Sequence, residues 1–313
     1  MSRLSNAWLI IFALLLCLSG CGGGESTALD QPIPVLAVES FLADITQNVA
    51  GERLQVETLM PLGLDPHTFE PTPQDVARIA ESQVLVVNGA GLEEWIDETL
   101  ENAGGQRTVI EAAAGLQSRE VHHDEESESD DHHHHHHEGD PHFWLDPNNV
   151  IHYVENIRDG LIQADPEGRD VYTQNAAAYI AQLQELDLWI VEKVAQVPEE
   201  RRLLVTNHES FGYYADRYGF QVVGAIVPSV STGSSPSAQE LASLVDRIRE
   251  TGAPAIFLAM GVNPKLAEQI AQETGVRVVT GLYTHSPSDP AGPAPTYLDM
   301  IRYNTQAIVE VLK

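Results

Sequence analysis

Two alternating hydrophobic patterns run along most of this chain. Short runs such as 84–87 are apolar at every position, which is typical of buried strands. Between such runs, apolar residues recur at three- and four-residue steps, as with Phe41, Ile45 and Val49, and this spacing predicts helices. The same alternation returns between residues 203 and 312. Strands that alternate with helices predict parallel α/β sheets.

The longest uninterrupted helical pattern covers residues 167–197, and no Gly or Pro breaks it before Pro198 apart from Gly168 at its start. A helix of this length is longer than one domain needs, so it predicts two α/β lobes joined by one long rigid helix, with a ligand cleft between them. We expect this stiff connection to limit hinge closure. The predicted segments are a signal peptide (1–21), a tether (22–33), an N-terminal lobe (34–165), a linking helix (166–198) and a C-terminal lobe (199–313).

The first 21 residues have the features of a secretory signal. Arg3 precedes an apolar run over 8–18, which is too short for a confident membrane span and is followed by small residues. Leu18-Ser19-Gly20-Cys21 resembles a bacterial lipoprotein cleavage box, which implies lipidation of Cys21 and attachment to the membrane through lipid alone. The alternative is an ordinary signal peptide with a coincidental cysteine.

Composition excludes some classes of function. The only cysteines are Cys17, in the predicted signal, and Cys21, so the mature domain has no disulfide and no thiolate ligand. A formal net charge of −29 argues against a nucleic-acid partner, because phosphates would repel the protein. The acidity is compatible with a cation as ligand.

Four histidines lie on predicted loops, two in each half of the chain. The first is in the proline-rich stretch 63–75, where we expect Asp65 to orient its imidazole. The second is the first residue of the segment 142–147. The third and the fourth follow the predicted strands 203–206 and 276–279, respectively. Loops beyond strand ends of two facing lobes converge on a cleft, and several neutral imidazoles there suit Zn²⁺. The candidate ligands, of which three or four would make such a site, are His67, His142, His208 and His285.

A second group of histidines lies in the tract 119–140, which holds eight of the thirteen histidines and nine carboxylates. This composition predicts a disordered loop that collects metal ions weakly; an engineered tag is the alternative. His152, by contrast, falls within a predicted helix and is interpreted as a surface or packing residue. The auxiliary metal-collecting residues are His122, His123, His132, His133, His134, His135, His136 and His137.

Five stretches together resemble the metal-binding solute receptors of bacterial ABC importers, the group that includes the zinc receptor ZnuA and the manganese receptors. The stretches are GLDPHTFEPTPQD, HFWLDP, TNHESFGYYADRYG, PSVSTGSSPSAQEL and PTYLDMIRYN. The resemblance covers about residues 34–313 and implies two lobes with the metal between them, bound by His67, His142 and His208. Manganese receptors of this group usually have a carboxylate at the position of His208. The histidine there makes this chain resemble the zinc receptors of the group.

One position departs from the family pattern. His285 stands where the family usually has an aspartate ligand, so the fourth ligand could be His285, Asp289, Glu209 or water. We favour His285, which would give four nitrogen donors.

The sequence therefore predicts a monomeric, lipid-anchored zinc receptor of the cell envelope, which hands Zn²⁺ to an ABC permease with a cytoplasmic ATPase and catalyses no reaction. Alternatives are a receptor for manganese or another divalent metal, and a metal-buffering adhesin of the same fold. A zinc hydrolase with Glu209 as base is a further alternative from another class.

Overall fold

The computed structural model describes residues 33–119 and 139–313. Within them, the N-terminal part of the chain forms a four-stranded parallel sheet with the order β2–β1–β3–β4. Its strands are short, and the two central ones, β1 and β3, are buried throughout, as expected where helices cover both faces of a parallel sheet. They are β1 (Val35–Ala37), β2 (Val56–Thr58), β3 (Val84–Val87) and β4 (Thr108–Glu111).

The C-terminal part repeats this arrangement. Its parallel sheet has the order β6–β5–β7–β8, so the first strand in the chain again lies between the second and the third. The strands are β5 (Leu203–His208), β6 (Gln221–Val227), β7 (Ala255–Ala259) and β8 (Arg277–Leu282). The shared strand order gives both lobes the same relation between strand ends and the loops that follow them.

Nine α-helices lie in the described part of the chain. They are α1 (Ser40–Ala50), α2 (Pro73–Glu81), α3 (Ile96–Ala103), α4 (Pro147–Ala164), α5 (Arg169–Val194), α6 (Gly212–Tyr218), α7 (Ala238–Thr251), α8 (Lys265–Thr274) and α9 (Tyr297–Leu312). The predicted fold class, two parallel α/β lobes joined by one long helix, is confirmed.

Helix α5 is the connection between the two sheets. It has 26 residues, and at 1.5 Å per residue it is about 39 Å long. On it, the carboxylate of Asp187 accepts hydrogen bonds from Asn148 of α4 and from Arg217 and Tyr218 of α6. These bonds attach the linking helix to elements of both lobes.

Local sequence explains where several helices begin. At α2, the Thr72 hydroxyl accepts from the Asp75 backbone N–H while the Asp75 carboxylate accepts from the Thr72 N–H, and Pro73 takes the first helical position. Ser237 and Glu240 form the same reciprocal pair at α7. Each pair satisfies two backbone donors that the first turn of a helix leaves without partners.

Three predicted boundaries are wrong. Strand β5, predicted to end at residue 206, continues through His208, and β8, predicted to end at residue 279, continues to Leu282. The hydrophobic pattern of residues 92–102 also predicts a helix over that whole range, but the helix begins only at Ile96. Its first residues are drawn into the preceding turn, because the Glu93 carboxylate accepts the backbone N–H groups of Asn88 and Gly89.

The prediction of disorder over 119–140 is also wrong at both ends of that tract, where the residues make defined contacts. Arg119 donates from its guanidinium to Asp216 at 2.6 Å, and Asp140 is only 2% exposed. The Tyr213 hydroxyl donates to the carbonyl oxygen of Asp140 and accepts from the backbone N–H of Arg119. Residues 120–138, with all eight auxiliary histidines, lie outside the described residues, as do residues 1–32 with Cys21.

Candidate metal centre

The four predicted loop histidines come together in one cluster. His67, His142, His208 and His285 each offer a ring nitrogen, and these nitrogens all lie within 4.8 Å of one another. The His142 Nε2 atom lies 3.2 Å from Nε2 of His67 and 3.1 Å from Nε2 of His208. The cluster therefore joins side chains from both lobes at a single point.

His67 is placed by a short 3₁₀ turn, Pro66–Thr68. Asp65 accepts the backbone N–H of His67 at 3.1 Å through one oxygen, and the Thr232 hydroxyl at 2.7 Å through the other. The prediction that Asp65 orients the imidazole is wrong, because its hydrogen bonds go to the backbone and to a residue of the other lobe. The Trp95 indole N–H, which donates to the Pro66 carbonyl, holds the turn from the far side.

Asp140 has the orienting role for His142, and sequence reasoning missed it. One Asp140 oxygen accepts both the backbone N–H of His142 at 3.0 Å and its Nδ1–H at 2.9 Å. A carboxylate can only accept, so the ring proton sits on Nδ1 and the lone pair of Nε2 faces the cluster. His142 is fully buried, which keeps this arrangement away from water.

The other two histidines come from the C-terminal lobe. His208 is the last residue of β5 and is fully buried, with the Asn207 amide 2.7 Å from its Nδ1. His285 follows β8. The residue before it, Thr284, accepts a hydrogen bond through its carbonyl oxygen from the Trp144 indole N–H at 2.7 Å. The Nε2 atom of His285 is buried and has no hydrogen-bond partner in the described part of the chain.

Burial favours the neutral form of three of these imidazoles, those of His67, His208 and His285. Burial, followed by the neighbouring His142 and His285, lowers the pKa of His67 from 6.5 to about 2. The pKa of His208 is lowered well below its ordinary value, first by burial and then by the other histidines. Burial lowers the pKa of His285 to about 4, although Asp65 acts in the opposite direction. Neutral imidazoles retain the lone pair that a metal ion requires.

The spacing of the nitrogens suits a tetrahedral ion. Donors about 2.0–2.1 Å from a zinc ion at tetrahedral corners lie about 3.3 Å from one another. The two Nε2–Nε2 separations of 3.1 and 3.2 Å are close to this edge length. The Nε2 atom of His285 has no hydrogen-bond partner among the described residues, so a bond from it to a metal ion would break no hydrogen bond there.

Neither alternative carboxylate belongs to the cluster of ligand-capable atoms found among the described residues. Asp289 instead lines a cavity of about 440 Å³ that leads to His285, together with Asp65, Asn207 and Met260. The side chain of His152 is 59% exposed on α4, where it lies 3.8 Å from Glu155, so its interpretation as a surface residue is confirmed.

Comparisons with known proteins agree with this architecture. The chain is 33% identical to the manganese-binding lipoprotein MntA of Halalkalibacterium halodurans over 305 residues, which cover 97% of each chain. It is 28% identical to the manganese ABC transporter substrate-binding lipoprotein PsaA of Streptococcus pneumoniae, again over 97% of each chain.

Solved structures give the same result. The Mn-bound periplasmic metal-binding protein from Candidatus Liberibacter asiaticus superposes with a TM-score of 0.77 at 30% identity, covering 89% of this chain and 99% of that one. The periplasmic zinc-binding protein TroA of Treponema pallidum gives 0.79 at 28% identity, covering 90% and 99%.

Two α/β lobes, a long connecting helix and a histidine cluster between the lobes define a metal-binding substrate receptor of an ABC transporter. More narrowly, the chain belongs to the family of the periplasmic zinc-uptake complex component A, ZnuA, whose model matches residues 35–311. This relationship confirms the predicted family and the prediction that the chain is not an enzyme, and the zinc hydrolase alternative is wrong. No helix in 33–119 or 139–313 is long and apolar enough to cross a membrane.

Proposed function

We propose that this receptor captures Zn²⁺ through His67, His142, His208 and His285 and delivers it to an ABC permease. The observation that carries the proposal is the convergence of four ring nitrogens at one buried point. Four neutral nitrogen donors suit Zn²⁺, which is commonly four-coordinate with histidine ligands. Mn²⁺ prefers oxygen donors, and the cluster contains none.

Manganese is the second candidate, because MntA and PsaA carry that metal in their names. The donor set separates the two hypotheses. By the usual affinity order, a site of four nitrogens binds Zn²⁺ far more tightly than Mn²⁺. We therefore expect Zn²⁺ to displace Mn²⁺ completely at equal concentrations.

The deciding experiment is a metal analysis of the protein purified without added metal, followed by competition between Zn²⁺ and Mn²⁺. Zinc near one equivalent, with no displacement by a large excess of Mn²⁺, supports the proposal. Preferential retention of manganese under the same competition contradicts it and favours the second candidate.

Ligand assignment is tested by single substitutions. His67→Ala and His208→Ala are each expected to weaken zinc binding more than about 100-fold, beyond the 10–100-fold typical of residues that merely orient ligands. His152→Ala is the matched control, because its exposed ring is outside the cluster. Equal losses in all three variants would contradict the assignment.

The fourth ligand has its own comparison. His285→Ala is expected to lower zinc affinity, whereas Asp289→Ala changes it little, because His285 belongs to the cluster and Asp289 does not. The reverse result would move the fourth ligand to Asp289.

We further propose that lipid on Cys21 holds the receptor as a monomer on the outer side of the cytoplasmic membrane. The names of the relatives support this, since MntA and PsaA are lipoproteins. On this proposal, a permease with a cytoplasmic ATPase receives the ion, and the histidines within 120–138 collect metal ions weakly. Replacing Cys21 with Ala should release the receptor from the membrane fraction, and retention would contradict the anchor.

A further inference from the structure

The side-chain amide of Asn207 is held between two groups. Its Oδ1 atom accepts the backbone N–H of Ala259 at 2.9 Å, and its Nδ2 atom lies 2.7 Å from Nδ1 of His208. Asn207 is 8% exposed, so water has little access to either contact. The amide therefore connects β7 to the histidine at the end of β5.

These contacts determine which way the amide faces. A backbone N–H can only donate, so the amide oxygen must face Ala259 and the NH₂ group must face His208. The NH₂ group also can only donate, so Nδ1 of His208 accepts from it. A neutral imidazole carries one ring proton, which then sits on Nε2 of His208.

That nitrogen is the one that faces the cluster. Nε2 of His208 lies 3.1 Å from Nε2 of His142, whose own proton is held on Nδ1 by Asp140. The Nε2–H of His208 thus donates to the lone pair of His142. Asp140 and Asn207 therefore select opposite tautomers. Asp140 leaves the lone pair of His142 Nε2 facing the centre, whereas Asn207 leaves the proton of His208 Nε2 there.

We propose that Asn207 is a positioning residue that holds His208 in the tautomer whose proton occupies the metal-facing nitrogen, and that it thereby lowers the affinity of the site. The inference rests on the proposed function in that His208 is taken as a ligand. For Nε2 to coordinate, its proton must leave and Nδ1 must take one up. The amide must then turn over so that its oxygen accepts from Nδ1, which leaves the Ala259 N–H facing an NH₂ group.

Binding of an ion therefore breaks the hydrogen bonds that Asn207 makes with Ala259 and His208, and these bonds re-form when the ion leaves. Such a contact favours release, which a receptor needs when it hands an ion to its permease. An orienting group that accepts from Nδ1, as Asp140 does, would give tighter binding instead.

The substitution Asn207→Asp tests the proposal. A carboxylate has the same shape but accepts from both the Ala259 N–H and Nδ1–H of His208, so the ring is held ready for the ion. Residues that orient metal ligands change affinity by about 10–100-fold, and we expect Asn207→Asp to tighten zinc binding within that range. Asn263→Asp is the control, because it adds the same charge in an exposed loop.

A second readout needs no metal. Nitrogen-15 NMR of the metal-free protein distinguishes the two tautomers, and the ring signals of His208 are assigned by their loss in His208→Gln. The wild type is expected to show the proton on Nε2, and Asn207→Asp on Nδ1. Because no ion is present, this readout is independent of whether the physiological metal is zinc or manganese.

The possible outcomes separate the proposal from its alternatives. A wild-type His208 with its proton on Nδ1 would overturn the proposal, as would Asn207→Asp binding zinc no more tightly than Asn263→Asp. If Asn207→Asp fails to fold, the tautomer of the wild type alone decides. If the wild type shows the expected tautomer yet His208→Gln binds zinc normally, the ligand assignment fails and the tautomer assignment stands.

Discussion

Asp140 is the residue on which the orientation of His142 depends. It accepts the Nδ1–H of that ring while Arg119 lies 3.6 Å from its other oxygen. Asp140→Asn loses the negative charge and one of two equivalent acceptors, so zinc affinity should fall about 10–100-fold. Competition with a chelator of known affinity measures the change.

The control for this substitution is Asp216→Asn. Asp216 also binds the Arg119 guanidinium, but its hydrogen bonds do not include His142, and its side chain is 62% exposed. An unchanged affinity is expected for this variant. If both variants lose affinity equally, Asp140 acts through Arg119 and not through the imidazole.

Glu39 makes stability depend on pH. It is 1% exposed beside Glu93, and both carboxyls are buried. Burial, followed by the charge of Glu93, raises the pKa of Glu39 well above 4.5. The folded state therefore keeps a proton that the unfolded state loses above that pH, so stability falls as the pH rises from about 4.5 toward the folded pKa.

Glu39→Gln should remove this dependence, because a neutral amide of similar shape needs no proton. We expect the variant to gain stability relative to the wild type as the pH rises, by up to about 1.4 kcal/mol per pH unit. Urea unfolding of the metal-free protein at pH 5 and pH 8 measures it, with the exposed Glu101→Gln as control. A pH-independent difference would refute the linkage.

At the residue scale, the sequence revealed the four histidines but not the groups that orient them. His67 and His142 lie in stiff, proline-bearing segments that mark them as loop residues. Asp140 was hidden among the nine carboxylates of its tract, and the role of Asn207 depends on a backbone N–H of another strand. Such contacts follow from three-dimensional packing, which hydrophobic periodicity does not encode.

At the scale of elements, hydrophobic periodicity predicted the alternation of strands and helices in both lobes. The end of β5 was harder to predict, because this strand finishes in polar residues at the cluster. Strand β5 includes Asn207 and His208, whose polar groups are satisfied by hydrogen bonds inside the protein. A pattern that equates polar residues with loops ends such a strand too early.

The linking helix α5 is attached to its neighbours through Asp187, which gives a test at this scale. Asp187→Ala leaves the buried Tyr218 hydroxyl and the half-exposed Arg217 without this partner. Loss of a buried acceptor costs about 1–3 kcal/mol, so we expect the free energy of unfolding to fall by about 2 kcal/mol. Urea denaturation measures this value.

The comparison for that experiment lies on the same helix. Glu185→Ala removes a carboxylate from an exposed position of α5 and should change stability by no more than about 0.5 kcal/mol. Similar losses in both variants would mean that the effect arises from helix propensity and not from the Asp187 contacts.

At the scale of the whole molecule, the two lobes share a hydrophobic core. A single cluster of buried side chains includes Phe41 and Trp144 from the first half, Tyr179 of α5, and Tyr214 and Tyr297 from the second. The segment that opens α9 also reaches back, since the Tyr297 backbone N–H donates to Asp44 and its hydroxyl to the Trp144 carbonyl. This continuity supports the prediction that hinge closure is limited. The exact residues at which the lobes begin and end stay a prediction.

The described residues on either side of the histidine tract 120–138 lie next to each other. The backbone N–H of Asp140 donates to the Arg119 carbonyl at 3.4 Å, and the Ser118 hydroxyl donates to the Asp140 carbonyl at 3.0 Å. Deleting residues 121–138 therefore leaves Glu120 and Gly139 to join ends that already lie in hydrogen-bonding contact.

The deletion separates the tract from the buried cluster. Because the four clustered nitrogens belong to other segments, we expect the tight zinc site to keep its affinity within about twofold while the weaker sites disappear. Calorimetric titration with Zn²⁺ resolves the two classes. Replacing the eight tract histidines with Asn at unchanged length is the control, and it should remove the same weak sites. Loss of the tight site in either variant would mean that the tract contributes to the buried centre itself.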